Sequence, residues 1–498
     1  MITVSYTALL HLLLPEVIVV VTALLVLGAD LLISRTASSR IRFTTGAAIS
    51  AIGCVGAITQ ILLAPQQANV FDGTIVVGPE TQLVQIALLT LAVLVVALSI
   101  GSSFTSHVGE YFAVTLFATA GMMLLVSSEN VLLIFLSLEL LSLSLYVLAA
   151  LNKRSPRSAE AALKYFLFGG TSAAFLLFGL SLLYGLSNSV NLVQIAHAMK
   201  SPPLDPLLAV AIVMIVLGFG FKVAAVPFHF WAPDVYEGAP APSAALISSS
   251  AKVAGFVIFY QVMAIGFAGA EGSADWRNSA PGWVPVVAVV AALSMVLGNL
   301  VAITQTSVRR ILAYSAIAHG GYILLALVSH TEQSFDALLY YAITYALTLI
   351  GAFGVVAIVE EQAGGEKLSD FAGLSRRAPV LSACMLIFML SLGGIPPLAG
   401  FFGKFFLFAS VLSGGQHPFG LLWLVILAVV MSTVSLYYYL QVLKRIYIAE
   451  PSSEIPPIQV PNVSQLVLCV IALSILLLGC APNLFLKWLQ QPIRIAHF

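Results

Sequence analysis

Fourteen stretches of this sequence run for about twenty residues with scarcely a charge, and about 20 apolar residues make a helix as long as a bilayer's hydrocarbon core is thick. They fall at 11–33, 43–64, 82–100, 111–128, 130–150, 160–185, 206–230, 241–267, 284–304, 308–329, 334–359, 380–412, 419–447 and 464–488. Strands of a membrane barrel would be segments of about ten residues with alternating polarity, and these runs are longer and uniformly apolar. The expected fold is therefore an all-α polytopic membrane protein with no soluble domain left over. Composition agrees, since only 8% of the residues are charged, against about a quarter in soluble domains. The first run has no basic region ahead of it and reads as a retained span, not a signal peptide.

The net charge of zero hides an asymmetry. Alternate loops, holding Arg35–Arg42, Lys153–Arg157, Arg309–Arg310, Lys367–Arg377 and Lys444–Arg445, carry thirteen basic residues, whereas the opposite loops and the C-terminal tail carry Lys200, Arg277, Lys487 and Arg494. The positive-inside rule puts the first set in the cytoplasm, and an even number of spans then places both termini outside, in the periplasm of a bacterial inner membrane. Cys54, Cys384, Cys469 and Cys480 are scattered through apolar runs with no paired spacing, which argues against disulfides, metal sites and iron–sulfur clusters. No glycine-rich dinucleotide motif or haem-spaced histidine pair is present, so the chain itself is expected to hold no cofactor.

Four basic residues remain, Lys164, Lys222, Lys252 and Lys404, and all lie within spans. A charge inside a membrane is costly and marks an ion or proton path. Lys222 precedes Pro227 by five residues, and a proline that cannot donate to the carbonyl four residues back should kink or open the seventh span there. Freed carbonyls at that depth are tolerated where they line a polar cavity or are covered by protein. The twelfth span is interrupted in the same way by Gly393-Gly394-Ile395-Pro396-Pro397, with Lys404 seven residues further on. Lys404 could snorkel to an interface, but Phe401, Phe402, Phe405 and Phe406 imply that an apolar helix continues around it. Lys252 follows Ser248, Ser249 and Ser250, which could hydrate or hydrogen-bond its ammonium.

Glu139 lies nine residues into the fifth span, about 13 Å along a helix and so near mid-bilayer, with Ser137, Ser142 and Ser144 around it. It is either a tuning carboxylate or a protonated carboxyl joining two helices. Lys164 sits one turn from Glu160, a spacing that also suits a plain structural ion pair. His229, just past the break, is a relay candidate or a satisfied interfacial histidine, and His319, in the middle of the tenth span with Tyr314 and Ser315 nearby, is a further relay candidate.

The two interrupted spans are five spans apart. Units of five spans have opposite membrane topology, which is the inverted-repeat pattern with broken helices at the ion path. The expected organisation is 1–110, a three-span segment; 111–267 and 284–447, the two repeats; and 448–498, the last span. Lys222 and Lys404 are then expected to be counterparts, with Lys252 linking the halves. Desolvation disfavours an ammonium ion and a nearby carboxylate restores it, so moving Glu139 relative to Lys222 loads or discharges a proton. A swing worth about 3–4 kcal/mol exceeds the roughly 2.3 kcal/mol needed to move one charge across 100 mV.

Taken together, KVAAVPFHFWAPDVYEGAPAP (222–242), SSSAKVAG (248–255), RRILAYSAIAHGGY (309–322) and GGIPPLAGFFGKF (393–405) make the chain similar to the antiporter-like membrane subunits of respiratory complex I, the proton-pumping NADH:quinone oxidoreductase. The resemblance covers essentially the whole chain. The DVYEGAPAP form at 234–242 and a lysine at 404 resemble the N-type subunit most, as does the lack of a long lateral C-terminal helix. The resemblance implies that Glu139, Lys222, Lys252 and Lys404 occupy proton-pathway positions and Lys164 an additional one. It also implies partners: the other membrane-arm subunits and a peripheral arm bearing FMN, iron–sulfur clusters and the NADH site, with quinone bound elsewhere in the complex. A subunit of a multi-subunit sodium/proton antiporter is the nearest alternative, and a scaffold with relic lysines is a third.

Overall fold

A computed structural model describes residues 6–199, 205–331, 333–414, 419–450 and 458–483. Lys200, Lys487 and Arg494, and the end of the fourteenth run, lie outside the described residues. Among those described, thirteen helices are long and apolar enough to cross a membrane, and Pro379–Gly393 with Ala399–Ser413 supplies the two halves of a further, broken crossing. The only strands among the described residues form one short hairpin, Ala68–Val70 with Ile75–Val77.

Burial separates the spans into an inner and an outer set. The eighth (Ala241–Gly266), tenth (Val308–Ser329) and eleventh (Ser334–Ala363) have 89–94% of their apolar windows buried, against 33% for the second (Ser39–Leu63), sixth (Pro156–Ser187) and thirteenth (Leu422–Tyr447). A helix apolar all round is buried, either in lipid or in the core of a large protein. Here the inner three are wrapped by protein, so their polar residues, Lys252 and His319 among them, are shielded from lipid by neighbouring helices.

The proline of the seventh span does more than kink it. Pro206–Val223 starts on an N-cap, with Asp205 accepting from the Leu207 N–H at 2.7 Å, and stops at Ala224 in the left-handed conformation (φ 59°). The Ala225 N–H closes the end onto the Gly220 carbonyl at 2.8 Å. The indole N–H of Trp231 donates to the Phe221 carbonyl at 3.0 Å, and the chain resumes as Trp231–Gly238. The Val226 N–H donates to Ser294 Oγ on the ninth span (Trp283–Ile303) at 2.9 Å, so each backbone group named here has a partner. The twelfth span repeats the device: Pro379–Gly393 ends at Gly394 (φ 79°), and Ala399–Ser413 follows Pro397. Both breaks contain a cis proline bond, Val226–Pro227 and Pro396–Pro397.

Candidate functional site

At the first break Lys222 is the next-to-last residue of its helix, and its Nζ donates a short hydrogen bond to Ser142 Oγ of the fifth span (Val131–Ala149). Ser142 in turn donates to the Leu138 carbonyl. The rings of Phe221 and Tyr146 lie 5.3 and 5.9 Å from the ammonium. Glu139, one turn from Ser142 on the same helix, is half-buried and bounded by the exposed Leu136, Leu140 and Leu143. The serine thus stands at the lysine, and the carboxylate lies behind it on the same helix.

Lys252 is buried where the eighth span meets the tenth, and its Nζ donates to the Ala316 carbonyl at 2.9 Å. Ala316 lies one turn before His319, which is also buried. His319 Nδ1 is 2.6 Å from Tyr341 Oη and its Nε2 3.0 Å from Tyr439 Oη, and the imidazole stacks on Tyr345 at 4.7 Å. Tyr439 Oη also meets Ser315 Oγ at 2.5 Å. One turn beyond His319, Tyr322 accepts from Asn299 Nδ2 at 3.1 Å, and Tyr438 donates to Asn299 Oδ1 at 2.9 Å.

That tyrosine leads to the second break, because Lys404 Nζ sits 5.3 Å from the Tyr322 ring. Its ammonium donates to the Leu392 carbonyl at 2.9 Å, to that of Gly393 at 3.4 Å and to Ser432 Oγ at 2.8 Å. The carbonyls freed by the break are therefore used by the lysine. With 4% exposure, Lys404 does not snorkel to an interface.

A second polar layer lies toward the arginine-rich loops. Lys164 Nζ bonds Glu160 Oε1 and Asp234 Oδ2, each at 2.7 Å, and Arg310 bonds Asp234 at 3.1 Å and Glu237 at 2.9 Å. The neighbouring Arg309 is buried. It donates to the carbonyls of Glu237 (3.1 Å) and Ala239 (2.7 Å), binds Glu360 closely and lies 3.2 Å from Glu366. Burial pushes the Glu366 carboxyl up to about 7; Arg309 pulls it down, while Glu237 and Glu360 push it up again. These groups border a cavity of about 350 Å³.

Several sequence expectations need correction. Ser248 and Ser249 bond the Ala245 carbonyl instead of the ammonium of Lys252, because serines in a helix satisfy themselves on the preceding turn. Lys222 and Lys404 are not in register: Lys222 lies two residues before left-handed Ala224 and Lys404 ten residues after left-handed Gly394. Each ammonium nevertheless reaches its own break, from opposite halves. His229 is half-exposed against Phe230 at 4.4 Å, and among the described residues no side-chain hydrogen bond joins it to the lysines. The Glu160–Lys164 pair extends to Asp234, which binds it to the broken span. The sequence reading overlooked Asn299 and five tyrosines, Tyr322, Tyr341, Tyr345, Tyr438 and Tyr439; pairs such as Tyr340-Tyr341 and Tyr438-Tyr439 inside apolar runs were the available signal.

Among the described residues, no group of three or more His, Cys, Asp or Glu is placed to hold a metal ion. A membrane bundle with a lysine at each of two broken helices, and a third lysine and a histidine buried among its inner spans, defines an antiporter-like membrane subunit. Residues 128–435 match the NADH:quinone oxidoreductase/Mrp antiporter transmembrane family, and the chain belongs to that family. NADH-quinone oxidoreductase subunit N 2 of Acidobacterium capsulatum is 54% identical over 497 residues, covering 98% of this chain and 99% of the relative. A chain of respiratory complex I from Thermus thermophilus is 33% identical and superposes with a TM-score of 0.76, covering 95% of this chain and 98% of its own. A chain of the Mrp complex from a Dietzia species shares the fold at a TM-score of 0.82 over 97% of each chain, with 21% identity.

Proposed function

We propose that this chain is a proton-translocating membrane subunit of an NADH:quinone oxidoreductase. It moves protons through Glu139, Lys222, Lys252, His319 and Lys404 when quinone is reduced elsewhere in the assembly. The observation that carries this reading is the polar line through the bundle: Lys222 on Ser142, Lys252 on Ala316 one turn from His319, and Lys404 on the carbonyls of the second break. Lysines at this depth have no use in merely spanning a bilayer. Lys164 belongs to the side network at the arginine-rich face and tunes the line through Asp234. The two five-span units, 111–267 and 284–447, supply one broken helix each. The chain sits in a bacterial inner membrane with its arginine-rich loops cytoplasmic and both termini periplasmic. Electrons pass through FMN, iron–sulfur clusters, NADH and quinone held by partner subunits; this chain holds protons only.

A sodium/proton antiporter subunit is the second reading, favoured by the likeness to the Mrp chain, but that likeness speaks for the fold alone. The identity to subunit N over nearly the full length favours the first. The test is the assembled complex in proteoliposomes with Lys252→Ala. NADH-driven proton uptake should fall while flavin-dependent NADH oxidation by an artificial acceptor persists. Unchanged proton uptake per electron would remove this chain from proton transfer, and sodium-dependent uptake would move it to the second reading.

A further inference from the structure

The line of lysines needs a supply, and the structure offers one at the arginine-rich face. The loop 305–308 pairs with 366–368: the Val308 N–H donates to the Glu366 carbonyl and the Leu368 N–H to the Thr306 carbonyl, each at 2.9 Å. That pairing holds the Glu366 carboxylate 3.2 Å from buried Arg309, at the wall of the cavity of about 350 Å³. Four carboxylates, Glu237, Glu360, Glu361 and Glu366, border this vestibule against two cations, Arg157 and Arg309. An excess of carboxylates in a cleft concentrates protons.

Beneath the vestibule lies Tyr236. Its carbonyl accepts from Arg309 at 3.4 Å, and its buried ring lies 5.9 Å from the ammonium of Lys252. One residue thus touches both the mouth and the central lysine. Its hydroxyl has no protein partner, and the same is true of Ser243, next to the cavity-lining Pro242, and of Ser250, two residues before Lys252. All three side chains are at most 1% exposed. Buried hydroxyls without partners are rare, and bound water is the ordinary way to satisfy them. Three such groups between a carboxylate vestibule and a buried lysine mark a hydrated path.

We propose that the Arg309 vestibule is the mouth through which protons leave the arginine-rich face for Lys252, with Glu366 taking up the proton and water on Tyr236, Ser243 and Ser250 passing it inward. Each hydroxyl accepts one proton and releases another, so only the Glu366 carboxyl and the Lys252 amine change charge. This route rests on the proton-transfer reading above, and it enters at the centre of the molecule instead of at Lys222. Arg309 acts as a positioning residue: it fixes the end of Trp231–Gly238 through the carbonyls of Glu237 and Ala239. The groups facing Glu366 are Arg309 and Ser307 at the start of the tenth span, Glu237 on the broken span and Glu360 on the eleventh.

The test uses the whole complex in proteoliposomes. Glu366→Gln and Tyr236→Phe should each lower proton uptake by about tenfold or more, the size of effect expected for losing a positioned proton-transfer group. Wild-type uptake should fall as the pH of the arginine-rich side rises past 7, and Glu366→Gln should abolish that dependence while Glu366→Asp restores it. Ser243→Cys, with the four native cysteines replaced by serine, should react with a membrane-impermeant thiol reagent only from the arginine-rich side. Wild-type rates and pH profiles in both Glu366→Gln and Tyr236→Phe, or reaction of Ser243→Cys from the other side alone, would overturn the route. Lys252→Ala separates the levels: if it stops uptake and the vestibule variants do not, the mouth lies elsewhere; if it also has no effect, the proton-transfer reading itself fails.

Discussion

The two broken spans use the same backbone device and hold their lysines by different means. At the twelfth, Lys404 is fixed by the Leu392 and Gly393 carbonyls and Ser432, so its ammonium is part of how the break satisfies its own backbone. At the seventh, the freed carbonyls go to other donors: Gly220 to the Ala225 N–H and Phe221 to Trp231. Lys222 is left with one serine hydroxyl and two aromatic faces. Peptide dipoles in a helix end stay where they are, whereas a hydroxyl turns and a carboxylate behind it can advance or retreat. On the function proposed above, the first break is the one to be switched and the second the one to be occupied.

The largest effect should come from setting the two lysines side by side. Lys222→Met and Lys404→Met should both reduce NADH-driven proton uptake at least tenfold, but only the second should loosen the structure. Removing Lys404 leaves buried carbonyls unpaired, at about 1–3 kcal/mol each, while Lys222→Met leaves Ser142 still bonded to the Leu138 carbonyl. Thermal unfolding of the purified assembly separates the two; equal loss of stability in both variants would erase the distinction. Next in size is Glu139→Gln, which should impair uptake with assembly intact, and Ser142→Ala should reproduce part of the same loss. A wild-type ratio of protons to electrons in both would show that the first break is not tuned from the fifth span.

A smaller contrast lies in the left-handed residues. At Gly394 a Cβ would meet the Lys404 side chain at 3.1 and 3.3 Å, so Gly394→Ala combines an unfavourable φ with pressure on the lysine. It should cost about 1–2 kcal/mol and lower uptake several-fold. Ala224→Gly exchanges the same backbone penalty for added chain entropy and should be close to neutral in thermal unfolding. A stable Gly394→Ala complex with full uptake would mean that the second break tolerates movement as well.

What could be read from the chain beforehand was whatever is written locally. Span length, the prolines of both breaks and charges in apolar runs are properties of consecutive residues, and they located Lys222, Lys252 and Lys404. The partners of those lysines were not legible, because most are backbone carbonyls: Ala316, Leu392 and Gly393 accept through atoms every residue has. The tyrosine cluster around His319 draws on residues 22 and 120 positions away, at Tyr341 and Tyr439, which only packing brings together. Ser248 and Ser249 misled for a related reason. Their hydroxyls had a nearer acceptor one turn back, which outweighs a distant ammonium.

The smallest prediction concerns the far end of the inner helices, near the C-terminal half of the second break, where Gly414 packs against Ser329. His330 closes the tenth span there, with Nε2 3.4 Å from Glu271 Oε2 and its ring 5.6 Å from Trp283. The hydrogen bond to Glu271 raises its pKa above the ordinary value, against the opposing effect of burial. A histidine whose pKa is raised on folding contributes stability that is complete below about 6.5 and is lost as pH rises through the raised value. Because both side chains are partly exposed, the contribution stays below about 1 kcal/mol. Thermal unfolding of the complex should therefore weaken slightly from pH 6 to 9, and His330→Gln should flatten that slope. Among the described residues no side-chain hydrogen bond joins His229, at the first break, to a carboxylate, so His229→Gln should not flatten that slope. If His229→Gln flattened it as much as His330→Gln, the pH response would belong to the switched break and not to the occupied one.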